Sequence, residues 1–341
     1  MTSDGPKATI SNVHLALVTG AAGFVGSAVV RALLAEGIAV RAFVRVTSDR
    51  RNLAGLDVEL VEGDLRDAAA VHTAVRGCDL VFHVAALYAT DPAVAVEMYA
   101  VNVGGTKHVL AAAEAAGVQR VVHTSTIGTI GRPADGTLPT ENTPFNLWDS
   151  ASHYVRSKYL GEVAALEAAR RRGLPIVIVH PSAPVGPGDY KPTVTGRRIV
   201  DFLNGRHPSY LDGGINFCAV EDIAVGHLLA AFKGQSGQRY ILGNARGNLS
   251  FEQFLNLLSR VSGRPIPPPP RPARRQLVDP RYWMARLRAA SGMPSGSRPS
   301  ALTCDPSRAI RELGLPQTPL ADAFGRAVAW YREHGYVVAP K

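Results

Sequence analysis

Tyr154 and Lys158 stand four residues apart in the segment HYVRSKYLGE, and an uninterrupted helix from about Ser150 to Arg172 would put both on one face, reaching into one cleft. A free phenol gives up its proton only near pH ~10, but a neighbouring ammonium favours the phenolate and lowers that value. A tyrosine so placed can trade a proton near neutrality. Upstream, Thr19-Gly20-Ala21-Ala22-Gly23-Phe24-Val25-Gly26 closes an apolar strand and opens an alanine-rich helix. Glycines at that junction let backbone N–H groups and the helix dipole meet a pyrophosphate. Each motif alone is weak; in this order and in these elements they point to nicotinamide chemistry.

Further candidates surround these two. After the second strand, VRAFVRVTSDRR supplies Arg45 and no acidic residue where a ribose 2′-hydroxyl would be gripped, which favours NADP(H), with NAD(H) as the alternative. Arg45 ending an edge on the surface is the simpler reading. Asp64 and Leu65 would flank the adenine, although Asp64 suits a helix cap equally well. Thr124-Ser125-Thr126 follows the fifth strand, so one hydroxyl should point into the crevice at the carboxyl ends. Thr124 is assigned to the coenzyme and Thr126 to the reacting oxygen. His153, beside Tyr154, is expected to line the substrate pocket, while His83, His123 and His180 read as satisfied core histidines. Glu221 and Asp222 read as a helix start.

Placing these groups requires elements that alternate. Strands are expected at His14–Val18, Ala39–Val44, Val58–Val61, Leu80–His83, Arg120–Thr124 and Ile176–Val179, with helices at Gly23–Glu36, Ala68–Val75, Val94–Ala116 and Ser150–Arg172. That is an α/β, doubly wound parallel Rossmann sheet, with a smaller carboxyl-terminal α/β substrate lobe. Residues 1–12 read as a flexible leader and 13–181 as the NAD(P)-binding domain, with returns to the main sheet at about 216–243; residues 182–215 and 244–341 form the lobe. SAPVGPGDYKPTVTG, rich in proline and glycine, reads as a loop without regular structure over the strand ends. RPIPPPPRPARR, from Arg264 to Arg275, reads as a stiff extended connector.

Composition narrows the partners. The chain has 341 residues, 46% of them hydrophobic and 19% charged, enough to bury a substantial core. Its formal charge of +9 is scattered along the chain rather than gathered in a stripe, so nucleic-acid binding is not expected. Cys78, Cys218 and Cys304 have no metal spacing, and no metal is expected. The apolar run Val13–Val30 holds three glycines and is too short for a convincing membrane span. With no targeting signal, a cytoplasmic protein is expected. G-x-S-x-G, H-E-x-x-H and Walker patterns are missing, which removes hydrolases, zinc proteases and P-loop enzymes.

These residues together resemble the extended short-chain dehydrogenase/reductase family, also called the NAD-dependent epimerase/dehydratase family. The resemblance runs from VTGAAGFVGSAVVRALLAEG through EGDLRD, VFHVAA, VNVGGTKHVLAAA, VVHTST, YVRSK and VEDIA to AIRELG and AVAWY. VRAFVR, HPSAPVGP and KPTVTG look most like the dihydroflavonol 4-reductase-like branch, especially its hopanoid-associated candidate sugar epimerases. The resemblance implies Tyr154 as proton donor or acceptor, Lys158 as the group that binds the nicotinamide ribose and lowers the tyrosine's pKa, and Thr126 as the carbonyl-orienting hydroxyl. It implies that Val84, Ala85 and Ala86 pass along the coenzyme, that Pro181 and Ser182 border the nicotinamide, and that Asn102 has a structural role. It also implies a homodimer. Nucleotide-sugar epimerases usually carry R-x-x-N-x-Y-G-P where this chain has HPSAPVGP, which argues against a UDP-sugar. The expected function is reduction of a ketone or aldehyde. Sugar epimerisation or dehydration with tightly bound NAD, and non-catalytic NAD(P) sensing, are the alternatives.

Overall fold

A computed structural model describes residues 12–269 and 301–338. The expected leader and most of the proline-rich connector lie outside these residues. Seven parallel strands form the main sheet in the order β3-β2-β1-β4-β5-β6-β9. They are β1 (Leu15–Thr19), β2 (Ala39–Val44), β3 (Glu59–Glu62), β4 (Leu80–His83), β5 (Arg120–Thr124), β6 (Ile176–Pro181) and β9 (Arg239–Leu242). The order reverses between β1 and β4, which opens a crevice at the strands' carboxyl ends.

The strands read as continuous apolar runs because both faces are covered. On one face Val18, Val40, Phe82, Val122 and Val179 pack with Val29 and Leu33 of α1 (Phe24–Ala35) and with Ile223 and Leu228 of α7 (Val220–Lys233). On the other, Leu17, Phe43, Val81, Val121 and Ile178 meet α2 (Ala68–Val75), α4 (Thr106–Ala116) and α5 (His153–Arg172). The last of these starts where the Ser152 hydroxyl accepts from Val155 N and stops at left-handed Gly173, with Arg170–Arg172 over the negative end of its dipole.

Three expectations need correction. The segment from Val94 to Ala116 is interrupted: α3 (Ala95–Tyr99) passes through a wide π-type turn, Ala100–Gly105, into α4. There the Thr106 hydroxyl takes up the Asn102 carbonyl at 2.7 Å. The proline-rich stretch after β6 holds strand β7 (Ala183–Val185) and the start of α6 (Val194–Leu203). Pro184 is tolerated because β7 is an edge strand, and the Thr193 hydroxyl caps α6 by accepting from Gly196 N. Finally, of the two segments expected to return to the main sheet, only β9 does; β8 (Ile215–Ala219) instead forms a small sheet in the order β10-β8-β7, with β10 at Asn248–Leu249. Phe217 of β8 explains the choice, since it stacks on Phe254 of α8 (Phe251–Ser262) and meets Phe324 of α9 (Leu320–Glu333) in a core separate from the main sheet's.

Candidate active site

The glycine turn between β1 and α1 is built by exclusion. Gly20 has φ +67°, and a Cβ there would come within 2.8 Å of the Ala85 backbone. A Cβ on Gly26 would overlap the Gly20 carbonyl. At Gly23, the N-cap, helix α1 has no side-chain cap and no acidic residue in its first turn, so its leading N–H groups face the crevice. Thr19 lies beneath, accepting from Ala85 N at 3.2 Å, while Phe24 and Val25 are half-buried in the first turn. Beside them Val84 is half-buried and Ala86 exposed.

One hydrogen-bond chain ties this turn to the helices opposite. The Thr106 hydroxyl donates to Asn102 O, so it accepts from His83 Nε2 at 2.9 Å; His83 Nδ1 then accepts from Thr19 Oγ1, also at 2.9 Å. Burial, and then Lys158, push this imidazole down to about 3, so it stays neutral. Asn102 continues the chain by bracketing Leu87 through its amide and donating to Ser157 Oγ, one residue from Lys158. It is a clamp between the loop after β4 and helix α5.

The three hydroxyls after β5 go separate ways. Thr124 Oγ1 is 3.0 Å from His227 Nε2, whose Nδ1 faces Ile223 O, so the hydroxyl assigned to the coenzyme is turned away, toward α7. Ser125 donates to the buried carboxylate of Glu162 at 2.7 Å. Thr126 is half-buried and caps the short turn Ile127–Thr129 through Gly128 N. A Cβ on Gly128 would touch Val155, so this turn rests directly on α5 beside Tyr154.

Lys158 is buried and donates to Thr124 O at 2.6 Å. Burial pushes its ammonium down to about 8, with Glu162 pulling the other way. Tyr154 is pushed up to about 12 by burial and then by Tyr88, whose ring meets it edge-on at 4.8 Å. The expected lowering of the phenol by Lys158 is therefore absent: the ammonium is spent on a strand carbonyl. Glu162, one turn further along α5 and 1% exposed, was not anticipated from sequence. Burial works against its charge, but His180, Ser125 and Arg239 outweigh that and hold it well below the usual carboxylate range. His180 Nε2 lies 3.0 Å and Arg239 Nη1 3.2 Å from its two oxygens. The spacing of Glu162 from Lys158, again four, was the available signal.

The remaining candidates divide. Ser182 Oγ is buried without a partner among the described residues, next to Pro181 at the end of β6, as expected of a hydroxyl awaiting a ligand. Arg45 is exposed in a turn closed by Ser48, and its charge reaches Asp64. Asp64 itself is held by Arg66 through both carboxylate oxygens, and Leu65 is buried in the core. His153 turns outward to Tyr99, Nδ1 to hydroxyl 3.3 Å. His180 and His83 are satisfied, but neither ring nitrogen of His123 has a partner among the described residues, against the expectation of a satisfied core histidine. No cluster of metal-ligating side chains occurs among the described residues. Nor is any helix among them long and apolar enough to cross a membrane.

Residues 16–243 match the model of the NAD dependent epimerase/dehydratase family. The chain belongs to this family. A Synechocystis sp. protein named as a candidate dihydroflavonol 4-reductase is 41% identical, with 94% of this chain and 95% of that protein covered. Cinnamoyl-CoA reductase 1 of Oryza sativa subsp. japonica is 30% identical over 95% and 92%. Among solved structures, gox2253 superposes with a TM-score of 0.82 at 35% identity, covering 96% of this chain and all of that one. The Streptomyces venezuelae dTDP-glucose 4,6-dehydratase DesIV, solved with NAD and TYD bound, gives 0.75 at 29% over 94% and 97%. This epimerase/dehydratase family member is thus an NAD(P)-dependent oxidoreductase of the extended short-chain type. For its glycine turn the expected result is plain: Gly26→Ala should lower stability by about 1–3 kcal/mol and abolish dinucleotide binding, read by thermal melts and NADPH fluorescence. Normal binding would show that the turn has room that the Gly20 carbonyl does not leave.

Proposed function

We propose that this protein reduces a ketone or aldehyde to an alcohol with NADP(H), using Tyr154 as the proton donor, Lys158 as the ribose-binding ammonium and Thr126 as the hydroxyl that orients the carbonyl. The observation that carries the reading is Tyr154 on α5, protonated across the neutral range, one helical turn from buried Lys158 and beside the turn of Thr126. Gly20, Gly23, Gly26 and the open first turn of α1 suit the pyrophosphate, and unpartnered Ser182 Oγ suits the nicotinamide end. The bound coenzyme would supply the hydride. Tyr154 would give its proton to the carbonyl oxygen while Thr126 holds that oxygen in line. We read the unit built on β7, β8 and β10 as the lobe that covers the substrate. A panel of carbonyl compounds, scored by loss of NADPH absorbance, tests this; no consumption with any of them would overturn it.

The choice of NADP(H) rests on Arg45. Replacing it with Asp should weaken NADPH roughly 10-fold or more, since a charge-assisted phosphate contact is lost, and leave NADH nearly as before. Equal losses in titrations of the two coenzymes would remove the 2′-phosphate argument. The likeness to DesIV favours a second reading, sugar dehydration or epimerisation with retained NAD. Oxidised NAD carried through purification, with no net NADPH consumption, would select it.

A further inference from the structure

A second cationic side chain approaches the phenol from the other lobe. Helix α6 carries Arg198, 7% exposed, whose Nε donates to Ser209 O at 2.8 Å. Its guanidinium carbon lies 5.8 Å from the Tyr210 ring centroid, and the Tyr210 hydroxyl is itself committed to Leu249 O. The other group within electrostatic reach is Tyr88. This same Tyr88 stands edge-on against Tyr154, and it is 52% exposed. Arg198 and the reactive phenol therefore flank one tyrosine at the mouth of the cleft. No carboxylate pairs with Arg198 among the described residues, although nearly every other charge this deeply buried is matched: Glu162 by Arg239, Asp222 by Thr318. Arg120 is also buried without an acid, but it opens β5 at the amino end, away from the crevice.

A buried cation lacking a counter-ion is costly, and such groups gather where a ligand completes them. With Nε taken by Ser209, the two terminal amines remain as a planar fork that matches a pair of anionic oxygens. We propose that Arg198 binds an anionic group, a carboxylate or a phosphate, on the carbonyl substrate. This rests on the reductase reading and narrows it: Tyr154 acts on the carbonyl while Arg198 grips the charged end and sets which carbonyl compounds are accepted.

The test compares kcat/KM for 4-carboxybenzaldehyde, 4-formylphenyl phosphate and neutral methyl 4-formylbenzoate in the wild type, Arg198→Gln and Arg198→Lys. The wild type should prefer at least one anion over the ester by about 30-fold, the effect of completing a buried charge pair; which anion wins separates carboxylate from phosphate. Arg198→Gln should bring the ratio to about one, and Arg198→Lys, which keeps charge but not the fork, should fall between. Because each ratio is internal to one protein, a general loss of folding cancels. No wild-type preference, or an unchanged ratio in Arg198→Gln, would overturn the proposal. Should no aldehyde be reduced, the reductase reading is what fails, and calorimetric binding of 4-carboxybenzaldehyde and of inorganic phosphate then decides Arg198. Binding lost in Arg198→Gln would support it; equal binding, or none in the wild type, would sink it.

Discussion

Tyr154→Phe should slow carbonyl reduction by about 10²–10⁴-fold, the usual worth of a positioned general acid, while NADPH titrates as before. The phenyl ring keeps its packing against Tyr88, so only the transferable proton is lost. Since burial and Tyr88 push the phenol up to about 12, it remains protonated through the neutral range, as a proton donor requires. The charge that changes first is on Lys158, pushed down to about 8 by burial against the pull of Glu162. A lysine carries its charge below its pKa, so reduction in the wild type should fall as pH rises through about 8. His83, His123 and His180 face the same ammonium from β4, β5 and β6; the first two are held neutral by burial, so they add no step near that limb. A pH–rate profile in steady state checks the limb. Full activity in Tyr154→Phe would end the proton-donor assignment.

How far the sequence reached depends on whether a signal was local. Gly20, Gly23 and Gly26 constrain one another across six residues, and Ala39–Val44 or Arg120–Thr124 carry uninterrupted apolar runs, so the turn and the parallel strands were legible. The helix carrying Tyr154 and Lys158 was legible from its cap, its spacing and Gly173. What a side chain does with a free donor was not. Lys158 was expected to bias the phenol, but Thr124 O, 34 residues away, claims it. Phe217 was assigned to the main sheet because an apolar strand carries no address; its partners Phe254 and Phe324 lie far along the chain. Ser182–Gly196 looked irregular because proline was counted against strand without knowing that Pro184 sits on an edge.

Glu162 is where such distant contacts converge, and its neutral replacement should be the most damaging substitution for the fold. Ser125 after β5, His180 on β6 and Arg239 on β9 all donate to this one carboxylate from α5, while Arg239 also reaches the Glu141 carbonyl. Glu162→Gln keeps the volume and one acceptor but leaves Arg239 and His180 facing a neutral amide, which itself brings donors they cannot accept. Removing one member of a buried ion pair costs about 3–5 kcal/mol, and urea denaturation at pH 7 should show a loss of that order. The sign with pH follows from the depressed carboxyl. Its stabilisation is fully present above the unfolded value near 4.5 and is lost as pH falls toward the lower folded value. The gap between wild type and Glu162→Gln should therefore be constant from neutrality down to about pH 5 and begin to close below about 4.5. A gap that stays the same into acid would mean that the amide's shape, rather than the missing charge, accounts for the loss, and that the ionised carboxylate is not what joins α5 to the three strands.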